Sequence, residues 1–196
     1  MCRSERDIDD ESISKISLFC NVKKDSVIPA LNANSIYEVP SLYSKYGLDK
    51  ILLKHLNYNI NKYPLNLKPW QKLLKKLNNQ KFKTTIGVVG KYTNLKDSYK
   101  SLNEALIHGG IENSTKVVIK WINAENLNKK NITKQLGTCD GILVPGGFGH
   151  RGIDGKIESI RYARENNIPF FGVCLGMQLA VIEFARNVLK IKNANS

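Results

Sequence analysis

The sequence predicts an α/β fold built on a doubly wound parallel sheet, and three observations carry that expectation. From residue 84 onward, short apolar runs alternate with helical patterns, four times over. The runs are apolar throughout, as in strands buried on both faces of a parallel sheet. Glycine-rich turns follow two of these runs directly, at 146–149 and 172–176, where open α/β sheets place their sites. The βαβαβαβα order implies right-handed crossovers. The first 57 residues lack this rhythm and read as the tail of something larger.

The elements are read in chain order. Residues 1–14 are polar and charged and read as a loop. Residues 14–19 alternate polar and apolar, which predicts a short strand. Residues 27–29 and 32–35 read as turns, and 35–40 as an extended piece closed by Pro40. Residues 42–56 carry apolar side chains at helical spacing, interrupted at Gly47. Residues 57–83 read as a linker holding one helix. Pro69 suits its first turn, Trp70, Leu73, Leu74 and Leu77 recur at helical spacing, and Asn78 and Asn79 stop it. Strands are then expected at 85–90, 116–122, 141–145 and 169–173. Helices are expected at 97–108, ended by Gly109 and Gly110, at 126–136, 152–166 and 177–189.

Composition narrows the classes. The 196 residues carry 24% charged and 42% hydrophobic side chains, an ordinary globular balance. No apolar run approaches the roughly 20 residues of a membrane span. The N-terminus has no apolar signal region. Cys2, Cys20, Cys139 and Cys174 show neither metal-type pairing nor a disulfide spacing, so free thiols in a reducing cytoplasm are expected. The net charge of +13 invites a nucleic-acid reading, but its distribution does not support one. Residues 1–60 net zero, 61–100 net +9 and 101–196 net +4, with 24 Lys against 6 Arg. A lysine run in a linker reads as a solvated face, with a polyanion-binding patch as the lesser alternative, and no nucleic-acid partner is expected.

Two features carry chemistry. At 170–178 an apolar run meets Gly172-Val173-Cys174-Leu175-Gly176 and continues into a helical pattern. A strand that turns sharply into a helix with a nucleophile on the turn is a nucleophile elbow. The flanking glycines suit a turn with no room for a Cβ. The helix N-terminus favours a thiolate. The competing reading is a buried structural cysteine beside two packing glycines. The second feature, Gly146-Gly147-Phe148-Gly149, follows a buried strand and can turn its N–H groups inward. With the N–H of Leu175 it can form an oxyanion hole. Alternatively the loop is a tight turn or a phosphate cradle, although it meets neither phosphate-loop spacing.

Residues 141–149 followed by 171–178 resemble a class I, triad-type glutamine amidotransferase, and more closely the CTP synthase family. Supporting segments are 2–4, 34–40, 89–92, 99–101, 151–152, 163–169 and 193–196, so the resemblance spans essentially the whole chain. It implies a flavodoxin-like glutaminase domain, incomplete here, at 84–196. It also implies an interdomain linker at 58–83 and the C-terminal tail of the synthetase (amidoligase) domain at 1–57. In that family ATP and Mg2+ activate UTP, ammonia from glutamine gives CTP, GTP activates the glutaminase, and the enzyme is a cytoplasmic homotetramer.

The resemblance also implies roles. Cys174 would be the nucleophile, with the N–H groups of Gly147 and Leu175 as the oxyanion hole. Gly147, Phe148 and Gln178 would hold glutamine. Arg151, Gly152, Lys100 and Glu104 would belong to the GTP response, with Asp154 where the family has Glu. Arg3, Asn32 and Ala33 would border the ATP adenine, with Asn32 where the family has Asp. The family's His and Glu, the base and its orienting group, lie well downstream of the elbow. His55, His108 and His150 do not match them, and the ligands of Mg2+ are not matched within 1–196. Residues 1–196 by themselves are therefore expected to make no CTP and to hydrolyse glutamine poorly. The alternatives are a glutaminase subunit serving another chain, and a non-catalytic remnant.

Overall fold

The computed structural model describes residues 1–91 and 96–195. It divides into two units, Met1–Asn78 and Asn79–Ser196. Tyr92 and Ser196, which contribute to the resemblance above, lie outside the described residues.

The first unit is mostly short helices. β1 (Cys2–Arg3) pairs in parallel with β2 (Pro29–Ala30) after α1 (Asp10–Phe19). α2 (Val39–Lys45), α3 (Leu48–His55) and α4 (Lys68–Asn78) follow. Four expectations are corrected here. Residues 1–14 are not all loop, since they hold β1 and the start of α1 at Asp10. Residues 14–19 are helix, not strand. Asp9 accepts the Ser12 N–H at 2.7 Å as N-cap, and Asp10 and Glu11 stand in the first turn. Those cap and dipole terms outweigh a six-residue alternation. Residues 27–29 were expected to turn, but they run buried into the strand Pro29–Ala30. Residues 35–40 are not extended: Ser35 caps a 3₁₀ turn at Ile36–Glu38, and Pro40 sits in the first turn of α2, where its fixed φ suits a helix start. The expected break between α2 and α3 falls at Gly47, whose φ is +72°. α4 matches the helix expected after Pro69, and Trp70 Nε1 donates to Tyr37 O at 2.7 Å.

The second unit has the predicted rhythm. β3 (Phe82–Gly90), α5 (Lys100–Glu112), β4 (Thr115–Asn123), α6 (Ile132–Leu136), β5 (Gly141–Val144), α7 (Ile153–Glu165), β6 (Phe170–Gly172) and α8 (Leu175–Asn187) follow one another. The strands pair in the order β4-β3-β5-β6, all parallel. The chain thus steps from β3 to one side and then returns to the other, which makes a topological switch point between β3 and β5. Val88, Val89, Ile142 and Val144 are buried in the sheet, and Ile157, Ile160, Leu179 and Ile182 come in from α7 and α8. Arg164 of α7 joins these helices through Glu183 of α8, which is 1% exposed and accepts at 2.8 Å.

Two boundaries differ from expectation for local reasons. α5 runs through Gly109 and Gly110 instead of stopping there. A Cβ on Gly110 would stand 2.4 Å from Thr115 O, so this glycine lets the helix end press onto the start of β4. α6 is five residues long rather than eleven. The Asn131 side chain bonds Asn128 N and Asn126 O, and Asn128 Oδ1 accepts from Lys130 N. Such side-chain bonds draw the backbone away from the helix ladder.

Candidate active site

The site is assembled at the carboxyl ends of β3, β5 and β6. β6 ends at Gly172, and α8 begins at Leu175. Cys174 caps α8 with φ 51° and ψ −109°, a backbone state that L residues avoid and that structures hold only under constraint. The constraint is visible on both sides. A Cβ on Gly172 would lie 2.5 Å from Gly176 C, and one on Gly176 would lie 2.0 Å from Val144 O. No side chain fits at either position. Val173 N donates to Val144 O, and Gly176 N donates to Val173 O, both at 2.9 Å. The turn therefore lifts an exposed Cys174 off the end of the sheet.

The first turn of α8 is partly committed. Met177 N and Gln178 N both donate to Cys174 O, at 3.0 and 3.1 Å. The Leu175 N–H makes no hydrogen bond among the described residues. It is the orphan donor that a helix start offers to an anion. Gln178 lies exposed one turn in.

β5 leads into the glycine loop beside the elbow. A Cβ on Gly146 would meet Cys174 Cβ at 3.4 Å and Cys174 Sγ at 4.0 Å, so Gly146 is the loop's contact with the cysteine. Gly147 follows. Phe148 is 94% exposed, an aromatic face open to a ligand. Lys91, at the end of β3, reaches across the switch point. Its Nζ donates to Phe148 O and to Gly149 O, the latter at 3.1 Å. Two successive loop carbonyls are thereby fixed by one ammonium.

A second lysine lies at the loop. Lys156, in the first half of α7, is 1% exposed, and its Nζ lies 3.6 Å from where a Cβ on Gly147 would stand. Burial, and then the like charge of Lys91, push its amine below the ordinary lysine range. Neither lysine was singled out as a site residue from the sequence. The signal for Lys156 was its place among Ile153, Ile157 and Ile160, on the helical face that the periodicity sends inward.

The remaining predicted residues fall into two groups. Arg151 pairs with Glu125 at 2.5 Å, and Gly152, at φ +73°, caps α7. A Cβ on Gly152 would stand 3.0 Å from Ala124 Cβ. The segment expected to answer GTP is thus docked on residues 124–125. Lys100 begins α5, and Glu104 lies one turn on. In the first unit Arg3 donates to Asn32 Oδ1 and to Ala30 O, at the end of the β1-β2 pair, and Ala33 follows Asn32 in the chain. His150 is exposed at the end of the glycine loop, and His55 ends α3. A cavity of about 560 Å³ opens on the α5 side of the sheet, lined by Tyr99, Leu102, Leu143, Pro145, Gly146 and Val173. Among the described residues, no helix is long and apolar enough to cross a membrane.

An exposed cysteine held in a strained elbow, beside a glycine loop and an unoccupied helix N–H, can attack a carbonyl carbon and hold the oxygen that becomes negative. Comparison with known proteins agrees with that chemistry. The glutamine amidotransferase class-I family model matches residues 94–196, and the model for the CTP synthase N-terminus matches 1–58. CTP synthases of Maridesulfovibrio salexigens and Lawsonia intracellularis are 52% identical over 199 residues and 54% identical over 196. Both alignments cover the whole chain and 36% and 35% of the relatives. The chain therefore spans about a third of the length of the curated relatives it matches. The solved glutaminase domain of Trypanosoma brucei CTPS with bound acivicin is 45% identical at a TM-score of 0.54, covering 58% of this chain and 44% of that one. With its elbow, its glycine loop and its parallel sheet, the chain belongs to the class-I glutamine amidotransferase family.

Proposed function

We propose that the protein carrying this chain is a glutamine-hydrolysing ligase that makes CTP from UTP, with Cys174 as its glutaminase nucleophile. The observation that carries the reading is the strained elbow at Cys174 against Gly146, in a chain whose first 58 residues match the CTP synthase N-terminus. That second match favours a ligase over a glutaminase subunit of another enzyme.

The chemistry follows from the geometry. The Cys174 thiolate attacks the side-chain amide carbon of glutamine. The carbonyl oxygen becomes an oxyanion against the N–H groups of Leu175 and Gly147. The tetrahedral adduct expels ammonia and leaves a thioester, which water hydrolyses to glutamate. A base takes the thiol proton and returns it to the leaving ammonia; the resemblance assigns that work to a His oriented by a Glu. Phe148 and Gln178 flank the bound amino acid.

In the same reading residues 1–57 end the synthetase domain, 58–83 link, and 84–196 begin the glutaminase domain. Arg3, Asn32 and Ala33 border the adenine of ATP. Arg151, Gly152, Lys100 and Glu104 respond to GTP. The protein is a cytoplasmic homotetramer acting on glutamine, UTP and ATP, without a nucleic-acid partner. Among the described residues no cluster of His, Cys, Asp and Glu is fit to hold a metal ion, so no step is assigned here to Mg2+.

The test is nitrogen-source dependence in the protein that carries these residues. Cys174→Ala should abolish CTP formation from glutamine and leave CTP formation from added ammonium salt. Glutamine-dependent CTP formation that survives Cys174→Ala contradicts the assignment.

A further inference from the structure

Lys156 is a buried cation without an anion. Its side chain is 1% exposed, beneath Gly147. No hydrogen bond or ion pair of its ammonium is found among the described residues. The neighbouring charge that acts on it is Lys91, of the same sign. Isolated buried charge is costly, and a position that only needed filling would be better served by Met or Leu. Lys91 does not share this property, because its ammonium is committed to Phe148 O and Gly149 O. The loop thus has Cys174 against Gly146 and an uncommitted ammonium against Gly147.

We propose that Lys156 makes the glycine loop an anion site, its ammonium serving from beneath as the counter-charge for one small anion held on the loop beside Cys174. The inference rests on the reading of this loop as the element that holds the oxyanion, and it adds a residue to that reading. Lys156 acts through the loop and is a positioning residue. It raises the positive potential where negative charge develops. The lowered proton affinity of its amine fits a cation whose partner arrives only with the ligand.

The test uses two alkylating probes that share a leaving group and differ in charge, iodoacetate and iodoacetamide. Both react with the thiolate, so their rate ratio at one cysteine cancels that cysteine's own proton affinity. The ratio of iodoacetate to iodoacetamide at Cys174, read by peptide mass spectrometry, should fall about threefold or more in Lys156→Met. The ratio at exposed Cys20 should not change. An unchanged ratio at Cys174 in a folded Lys156→Met chain overturns the proposal. If that variant does not fold, the unsubstituted chain decides: the ratio should be higher at Cys174 than at Cys20, and equal or lower overturns it. Failure of the functional reading looks different. There a diazo-ketone analogue of glutamine shows no preference for Cys174 while the iodoacetate ratio still falls with Lys156→Met.

Discussion

The two units of this chain bury very different amounts of apolar side chain. Among the described residues, the buried hydrophobic side chains of Met1–Asn78 are Val27, Ile28 and Ala30, whereas Asn79–Ser196 contributes seventeen. Helices α1 to α4 carry no fully buried residue, and Leu18 and Phe19 are 77% and 86% exposed. In the second unit a parallel sheet is clamped by helices whose inward faces are Ile and Leu. The difference teaches where function sits. A strained cysteine costs on the order of 1–3 kcal/mol, and it persists only where surrounding packing determines it. The first unit is held by caps and short turns, and the second can support an elbow.

Perturbing the second unit at its tightest point should show the largest effect. Gly176→Val pushes side-chain atoms into Val144 O, already 2.0 Å from where a Cβ would stand. It should cost about 3 kcal/mol or more, read as a lowered urea midpoint. An unchanged midpoint would mean the elbow is not packed as described. Next comes the clamp between α7 and α8. Arg164→Ala leaves the Glu183 carboxylate buried without its partner and should cost about 2–4 kcal/mol. The double variant Arg164→Met with Glu183→Leu should recover most of that loss. A double variant as unstable as the single one would put the cost in packing instead.

Lys156→Met should have a smaller effect of opposite sign, holding or raising the melting temperature. The amine has a folded pKa below its ordinary value of 10.5. The unfolded chain therefore binds the proton more tightly, and the penalty is full below the folded pKa. Stability should rise with pH between the lowered folded value and about 10.5. Lys156→Met should flatten that rise, seen in denaturant midpoints across alkaline pH. The smallest and most local effect belongs to the first unit. Asp9 caps α1, and its hydrogen bond from Ser12 N–H lowers its pKa. The cap's contribution is present above the ordinary carboxylate range and is lost as pH falls through the depressed value. Asp9→Ala should speed amide exchange in α1 while leaving β3 and β5 unchanged. A global change would contradict the contrast between the units.

The same contrast governed what could be read from the sequence. β5, α7, β6 and α8 were legible to within two residues because continuous apolar strands and 3.6-residue faces alternate with glycine turns. The elbow and the loop were legible for a related reason, since Gly172 and Gly176 mark close approaches that admit no side chain, and Gly146 lies in contact with Cys174. Residues 14–19 were misread because an alternating pattern can also fall on a helix, and the deciding signal, Asp9 with Asp10 and Glu11, lies upstream of the alternation. α5 outran its glycines because Gly110 serves packing on β4 rather than termination. Lys156 was passed over because a lysine reads as surface. Only the inward phase of its neighbours on α7 says otherwise.

The central claim is that Cys174 is a nucleophile built for a glutamine side chain. The most direct test is treatment of the protein with a diazo-ketone analogue of glutamine, followed by peptide mapping of all four cysteines. The account predicts modification at Cys174, blocked by excess glutamine, with buried Cys139 and exposed Cys20 unmodified. Equal labelling of Cys20 and Cys174, unaffected by glutamine, would contradict it.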